Sequence, residues 1–319
     1  MYDVVLLALD SARDGSTCAA TTPESPRVPV LACADALRSA GARVEHVVAR
    51  SDAEIDAVLA RLDGPGRPDG LTWPDPEGKT RLVVAAASDG QLRAVVRRMV
   101  RRYAPPPSRR PPDLAGNRTV PDLPPIGVLP LVPARSAQRD LVAHLGLPRQ
   151  PAAVASAVLG GRARRLDLLR TDGGSVTLDG VLLGGAAKRR PVPWRGRVEV
   201  DDAVLSAGDD PLLACAIGNA GGYAVLDGLP LLTGADPADG VVEVAVAVPV
   251  VARSLLRSRV RVEVRRARGR AVAVTPHGED LPYVDDGVAG DLNRKRSWWI
   301  EPAAWAAFDS GPADAADRQ

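Results

Sequence analysis

The sequence predicts a two-part chain: an N-terminal three-layer α/β domain built on a parallel sheet, followed by an antiparallel β-sandwich domain. Three observations predict it. Short, continuously apolar runs (Val4–Leu9, Leu82–Ala87, Ile126–Leu131) alternate with helical patterns through the first half, as in parallel sheets covered on both faces. Near Gly161 the hydrophobic period changes from helical to alternating. The length, 319 residues, exceeds that of an ordinary single domain.

The elements follow in order. Val4–Leu9 is a first buried strand, too short and too poor in basic flanking residues for a signal peptide or membrane span. A helix over about 30–40 places Val30, Ala34 and Leu37 on one face and stops at Gly41. Val44–Val48 is the next strand. Ser51 and Glu54 form a capping-box pattern that opens a helix carrying Ile55, Val58, Leu59 and Leu62. Residues 63–80 are turn-rich. After Asp89-Gly90 comes the clearest helix, with Leu92, Val95, Val96, Met99 and Val100 at helical spacing. Residues 104–125 are rich in proline and read as an exposed, partly disordered insertion. Helices are expected at about 136–145 and 151–160.

Alternating segments then dominate: Arg165–Arg170, Ser175–Leu183, Arg197–Val200, Leu212–Ile217, Val241–Val248, Arg259–Arg265 and Ala271–Thr275, separated by turn signals. One helical stretch is expected at about 250–257. The domains are therefore set at 1–160 and 161–297, with 298–309 returning to the first and 310–319 a frayed tail.

Composition narrows the function classes. Apolar residues make up 45% and aromatics 3%, so each core rests on Val, Leu and Ala. A net charge of +2 excludes a bulk electrostatic binder of nucleic acid. Cys18, Cys33 and Cys215 are odd in number and widely spaced, which fits a reducing cytoplasm. His46, His144 and His277 show no metal spacing.

The order of several stretches resembles the diacylglycerol kinase catalytic family, which includes bacterial lipid kinases and sphingosine-kinase relatives. Leu82–Gln91 resembles its strand plus Gly-Gly-Asp-Gly-Thr loop. Ile126–Leu131 resembles the strand leading to its Gly-Thr-Gly-Asn-Asp loop, and Asp140–Pro148 matches the helix with a Leu-Gly-Leu-Pro exit. Gly161–Leu168 is similar to the crossing into the β domain. Ile217-Gly218-Asn219, Gly221-Gly222 and Ala238–Val244 resemble later landmarks. The resemblance implies an α/β domain for ATP and magnesium and a β domain that helps form a lipid cleft.

On that resemblance Asp89 is the candidate catalytic acid and, with Asp286, the candidate metal ligand. Ser88, Gly90 and Gln91, with Arg135 and Arg139, are the candidate nucleotide contacts. The loops depart from the family's pattern. The first reads Ala87-Ser88-Asp89-Gly90-Gln91, with two glycines replaced, and a Cβ where φ must be positive costs ~1–2 kcal/mol. In either register the second lacks glycine, and Pro133 removes a donor. Arg135 or Arg139 stands where a guanidinium fork replaces backbone donors, or is simply solvated at a helix start. Asp285-Asp286-Gly287-Val288 has valine where the family has glutamate; His277-Gly278-Glu279-Asp280 reads as a hairpin turn. Asp10 stands near an absent early Asn-Pro-x-Ser-Gly motif. Beside the catalytic reading of Asp89 stands the plain one, a turn residue at a helix start.

Two readings stay open. One is a catalytically impaired or inactive kinase-like protein, a pseudokinase that binds a lipid, a small hydrophobic alcohol or a partner, with no cofactor required. The other is an active ATP- and magnesium-dependent kinase of such an alcohol. A third class, an interaction protein binding neither nucleotide nor lipid, is weaker. Arginines 93, 97, 98, 101 and 102, and 259, 261 and 265, read mainly as solvated faces. They leave room for peripheral contact with an anionic membrane at the inner face. A homodimer is also left open.

Overall fold

A computed structural model describes residues 2–10, 28–132, 140–184, 192–253, 258–278 and 280–311. Arg135, Arg139, Pro133 and Cys18 lie outside these residues. The chain divides into two compact units. Of the described residues, 2–132, 142–166 and 303–311 form the first, and 140–141 and 167–302 the second.

The first unit is a three-layer α/β/α structure. Its strands are β1 (Asp3–Leu9), β2 (Arg43–Ala49), β3 (Thr80–Ala86) and β4 (Ile126–Pro130), hydrogen-bonded in the order β2-β1-β3-β4 and all parallel. The end of the last strand, β18 (Arg296–Phe308), joins β4 in parallel at Ala307↔Ile126. Helices α1 (Val28–Ser39) and α5 (Pro151–Gly160) cover one face, where Val4, Leu6, Val83, Ala85 and Leu129 meet Cys33, Leu37, Val154 and Val158. Alternation along the strands sends Val5, Leu7, Leu82 and Val84 to the other face, the side of α2 (Asp52–Leu59) and α3 (Asp89–Tyr103), and these residues are buried. Helix α5 approaches the sheet closely. A Cβ on Gly127 of β4 would lie 2.5 Å from Val158 Cγ2, so only glycine fits there. A short helix, α4 (Leu141–His144), falls in the expected 136–145 helix; 136–139 lie outside the described residues.

Two expectations fail in these regions. The proline-rich stretch is a fitted part of the unit and not a loose insertion: Leu114, Val120 and Leu123 are buried. The Arg110 guanidinium donates to the carbonyls of Leu114, Ala115 and Arg118, and the Leu123 N–H donates to Ala304 O at 2.9 Å. Its apolar anchors follow no period, so no pattern announces them. The arginines of α3 are likewise more than a solvated face. Arg98 pairs with Asp52 and Asp56, and Arg102 Nε donates to Asp63 at 2.6 Å, which ties α3 to α2 and the loop after it.

The second unit holds two antiparallel sheets around one core. After β5 (Ala163–Thr171) and β6 (Val176–Thr177) come β7 (Gly180–Gly184), β8 (Arg195–Val200), β9 (Ala203–Ala207), β10 (Ala214–Gly218), the short pair β11 (Val225–Leu226) and β12 (Leu229–Pro230), β13 (Val242–Arg253), β14 (Ser258–Gly269), β15 (Ala271–His277), β16 (Leu281–Asp285) and β17 (Val288–Leu292). One sheet runs β14-β13-β10-β7-β16-β17; in the other, β18-β15-β8-β9 are successive neighbours. Leu183, Ile217, Val244, Val246, Val198, Val272 and Trp298 meet between them, the packing of a β-sandwich. The helix expected at 250–257 is absent over 250–253, which continue β13 into a long hairpin with β14; residues 254–257 lie outside the described residues. Here cross-strand pairing overrides a local pattern. His277 ends β15 in one sheet and Leu281 begins β16 in the other, so these two strands do not pair as a hairpin; Glu279 of the expected turn lies outside the described residues.

Candidate functional site

Parallel strands of an α/β sheet present their chemistry at their carboxyl ends. In the first unit that edge carries Asp10 after β1, Arg50 after β2, Ala87–Gln91 after β3 and Leu131 after β4. Asp10 and Arg50 face each other at 3.8 Å. Asp89 is the first residue of α3, where the helix dipole favours a negative charge.

The connection from β3 to α3 has a definite construction. Ser88 is the N-cap, and its Oγ accepts the Gln91 N–H at 3.3 Å. The buried Gln91 side chain turns back, and its Oε1 accepts the Ala87 N–H at 2.8 Å. The connection from β2 to α2 is built the same way. Ser51 Oγ accepts the Glu54 N–H at 3.2 Å, and Glu54 Oε2 accepts the Arg50 N–H at 2.7 Å. Arg50-Ser51-Asp52-Ala53-Glu54 and Ala87-Ser88-Asp89-Gly90-Gln91 are thus two copies of one capping device. The expected phosphate contacts Ser88 and Gln91 serve as helix caps. Two of the backbone N–H groups that a phosphate loop would offer are already engaged. The sequence signal for this is a Ser followed three residues later by Gln, the same spacing as Ser51 and Glu54.

Asp286 belongs to the second unit. It and Gly287 form the two-residue turn between β16 and β17, both with positive φ (47° and 80°), the requirement of a tight hairpin turn. Asp286 is buried. Its carboxylate accepts the N–H groups of Leu178 (2.7 Å), Asp179 (2.9 Å) and Gly180 (3.1 Å). Neighbouring polar groups are engaged as well. Thr177 Oγ1 donates to Asp285 at 2.8 Å, and the Gly222 N–H donates to Asp179 at 2.8 Å. Asn219 Nδ2 donates to the carbonyls of Asp167 and Leu178. Gly222 is required by contact: a Cβ there would sit 1.6 Å from Asp179 Oδ2. Gly218, by contrast, lies in β10 between β7 and β13. Among the described residues no group of three His, Cys, Asp or Glu side chains is placed to hold a metal ion.

Each unit also has a cavity within the usual size range of small-molecule sites. One in the first unit, about 570 Å³, lies between the 62–80 loop and the proline-rich segment. One in the second, about 520 Å³, is walled by Trp194, Leu281 and four prolines, with Arg195, His277 and Asp280 beside them.

Comparison of the whole structure with solved proteins gives matches at full length. A diacylglycerol kinase from Bacillus anthracis str. Sterne superposes with a TM-score of 0.59 over 97% of this chain and 97% of its own, at 12% identity. Two further structures assigned as diacylglycerol kinases from the same strain give TM-scores of 0.62 and 0.60, also at 12% identity and 97% coverage of this chain. The fold is that of the diacylglycerol kinases. No family model matches the sequence, and comparison with curated proteins finds no match. Within the diacylglycerol-kinase fold, the β3–α3 connection is the one the resemblance assigns to nucleotide phosphate, and in this chain it is a capped helix start. No helix among the described residues is long and apolar enough to cross a membrane.

Proposed function

We propose that this protein uses the diacylglycerol-kinase fold as a binding module for a lipid or small hydrophobic alcohol, with phosphoryl transfer impaired. The observation that carries this reading is the capping of α3. Phosphoryl transfer depends on positioning and charge neutralisation. The loop's Ala87 and Gln91 N–H groups point to side chains of the same loop. Two features of the second unit support it. Asp286 already accepts three backbone N–H groups, and Val288 stands where the resemblance calls for an acid. The proline- and tryptophan-walled cavity there suits an apolar ligand.

Calorimetry and thermal melting with ATP and magnesium test the proposal. The expected outcome is no heat and no shift in Tm at millimolar nucleotide; micromolar affinity overturns it. The rival reading, an active kinase, draws on Asp89 at the carboxyl edge of the sheet. If purified protein phosphorylates a lipid, Asp89→Asn should melt normally and lose about 100- to 1000-fold in turnover, the worth of one charge-stabilising contact. Full turnover in that variant makes Asp89 a helix-start residue only.

A further inference from the structure

The cavity of the first unit lies at the edge opposite the β3–α3 connection, since Thr80 and Arg81 begin β3 and Pro125 precedes β4. It is therefore separate from the site discussed above. Each of its acids already has a partner. Asp75 accepts the N–H groups of Glu77 and Lys79, Glu77 pairs with Lys79 at 2.6 Å, and Asp113 pairs with Arg67 at 3.3 Å. Asp122 alone faces two guanidinium groups, Arg118 and, at 3.7 Å, Arg165. A third, Arg81, is buried, donates to the carbonyls of Val158 and Leu159, and stacks on the Tyr2 ring at 3.4 Å; among the described residues no carboxylate pairs with it. Four arginines and four carboxylates line the cavity, so their charges balance in number, but Arg118 and Arg165 share the single carboxylate of Asp122. Burial also pulls the Arg165 pKa down, with Asp122 opposing.

The unsatisfied polar atoms on the cavity residues point the same way. Nε and Nη2 of Arg118 and Nε1 of Trp73 are buried and find no hydrogen-bond partner among the described residues. All are donors. Buried polar atoms in folded proteins are nearly always paired. The Nε/Nη2 edge of a guanidinium is one that takes carboxylate or phosphate oxygens two at a time. The remaining wall is mostly apolar, with Leu62, Pro74, Leu114, Leu123 and Phe308 beside Arg61 and Thr80.

We propose that this cavity binds an organic anion, a carboxylate or phosphate monoester carried on an apolar body. The oxyanion meets the Arg118–Arg165 pair and the body lies along the proline and leucine wall beside Trp73.

The test is titration of the full chain with hexyl phosphate and hexanoate, beside inorganic phosphate and hexanol, followed by calorimetry and tryptophan fluorescence. Both amphiphilic anions should bind, with inorganic phosphate much weaker and hexanol absent. Arg165→Gln should weaken binding about tenfold, the scale of one charge-assisted contact. Asp122→Asn removes the competing carboxylate, is half-exposed (60%), and should tighten it. Circular dichroism checks that both variants fold. The proposal is overturned if neither anion binds at millimolar concentration, if hexanol binds equally well, if inorganic phosphate binds as tightly as hexyl phosphate, or if both substitutions leave affinity unchanged.

Discussion

The β3–α3 connection and the β16–β17 turn reach one state by opposite routes. At the first, backbone donors are taken by side-chain acceptors: Ser88 Oγ and Gln91 Oε1 receive the N–H groups of Gln91 and Ala87. At the second, a side-chain acceptor is taken by backbone donors: Asp286 receives three N–H groups from 178–180. A residue suited to ligand chemistry is informative only once its existing partners are known. In both turns those partners lie within the protein.

The largest expected effect is at the buried turn. Asp286→Ala leaves three backbone donors unsatisfied and should cost ~3–5 kcal/mol in urea denaturation, since each orphaned group costs ~1–3 kcal/mol. Asp286→Asn keeps one acceptor oxygen and should lose less. Were Asp286 chiefly a magnesium ligand, the metal-free Asn variant would melt like the parent, and the comparison of the two turns would collapse. Next comes Gly222→Ala beside Asp179, where the added methyl must displace the carboxylate. It should cost ~1–3 kcal/mol by calorimetric melting, as overpacking does.

The helix start should be softer. Ser88→Ala removes one cap and should cost ~1 kcal/mol, close to the cost of Ser51→Ala in the matching connection. Equal losses sharpen the comparison; a change in ATP affinity for Ser88→Ala alone would break it. The two cysteines among the described residues, Cys33 and Cys215, show burial without compensation and act only at alkaline pH. Burial pushes Cys33 up to about 11 and Cys215 up to about 12. A raised folded pKa contributes stability below the unfolded value, near 9, that is lost as pH rises through 11 to 12. Stability should therefore fall over that window and less so in Cys33→Ala, while both thiols stay unreactive to a thiol reagent at neutral pH until the chain unfolds.

Much of the fold was legible in the sequence. Continuous apolar runs marked β1, β3 and β4 because both faces of a parallel strand are buried. Helical spacing from Leu92 to Val100 marked α3, and the change of period near Gly161 marked the β-sandwich. Strands β9, β16 and β17 were not read, because short edge and turn segments carry few alternating positions. Asp89 and Asp286 stand out in the sequence as candidate metal ligands and Ser88 and Gln91 as candidate nucleotide contacts; the structure puts Asp89 at the start of α3, Asp286 in the β16–β17 turn, and Ser88 and Gln91 in the cap of α3.

What only the tertiary structure decided is where each polar group finds its partner. Nothing local to Asp286 indicates that the N–H groups of 178–180, more than a hundred residues earlier, converge on it. Nothing in a proline-rich run shows that Leu114, Val120 and Leu123 are buried, or that Arg118 ends beside Asp122 and Arg165 at a cavity. Periodicity is a local property that one strand or helix imposes on its own side chains, so a sequence displays it. Hydrogen-bond satisfaction joins groups distant along the chain, and the packed fold settles it.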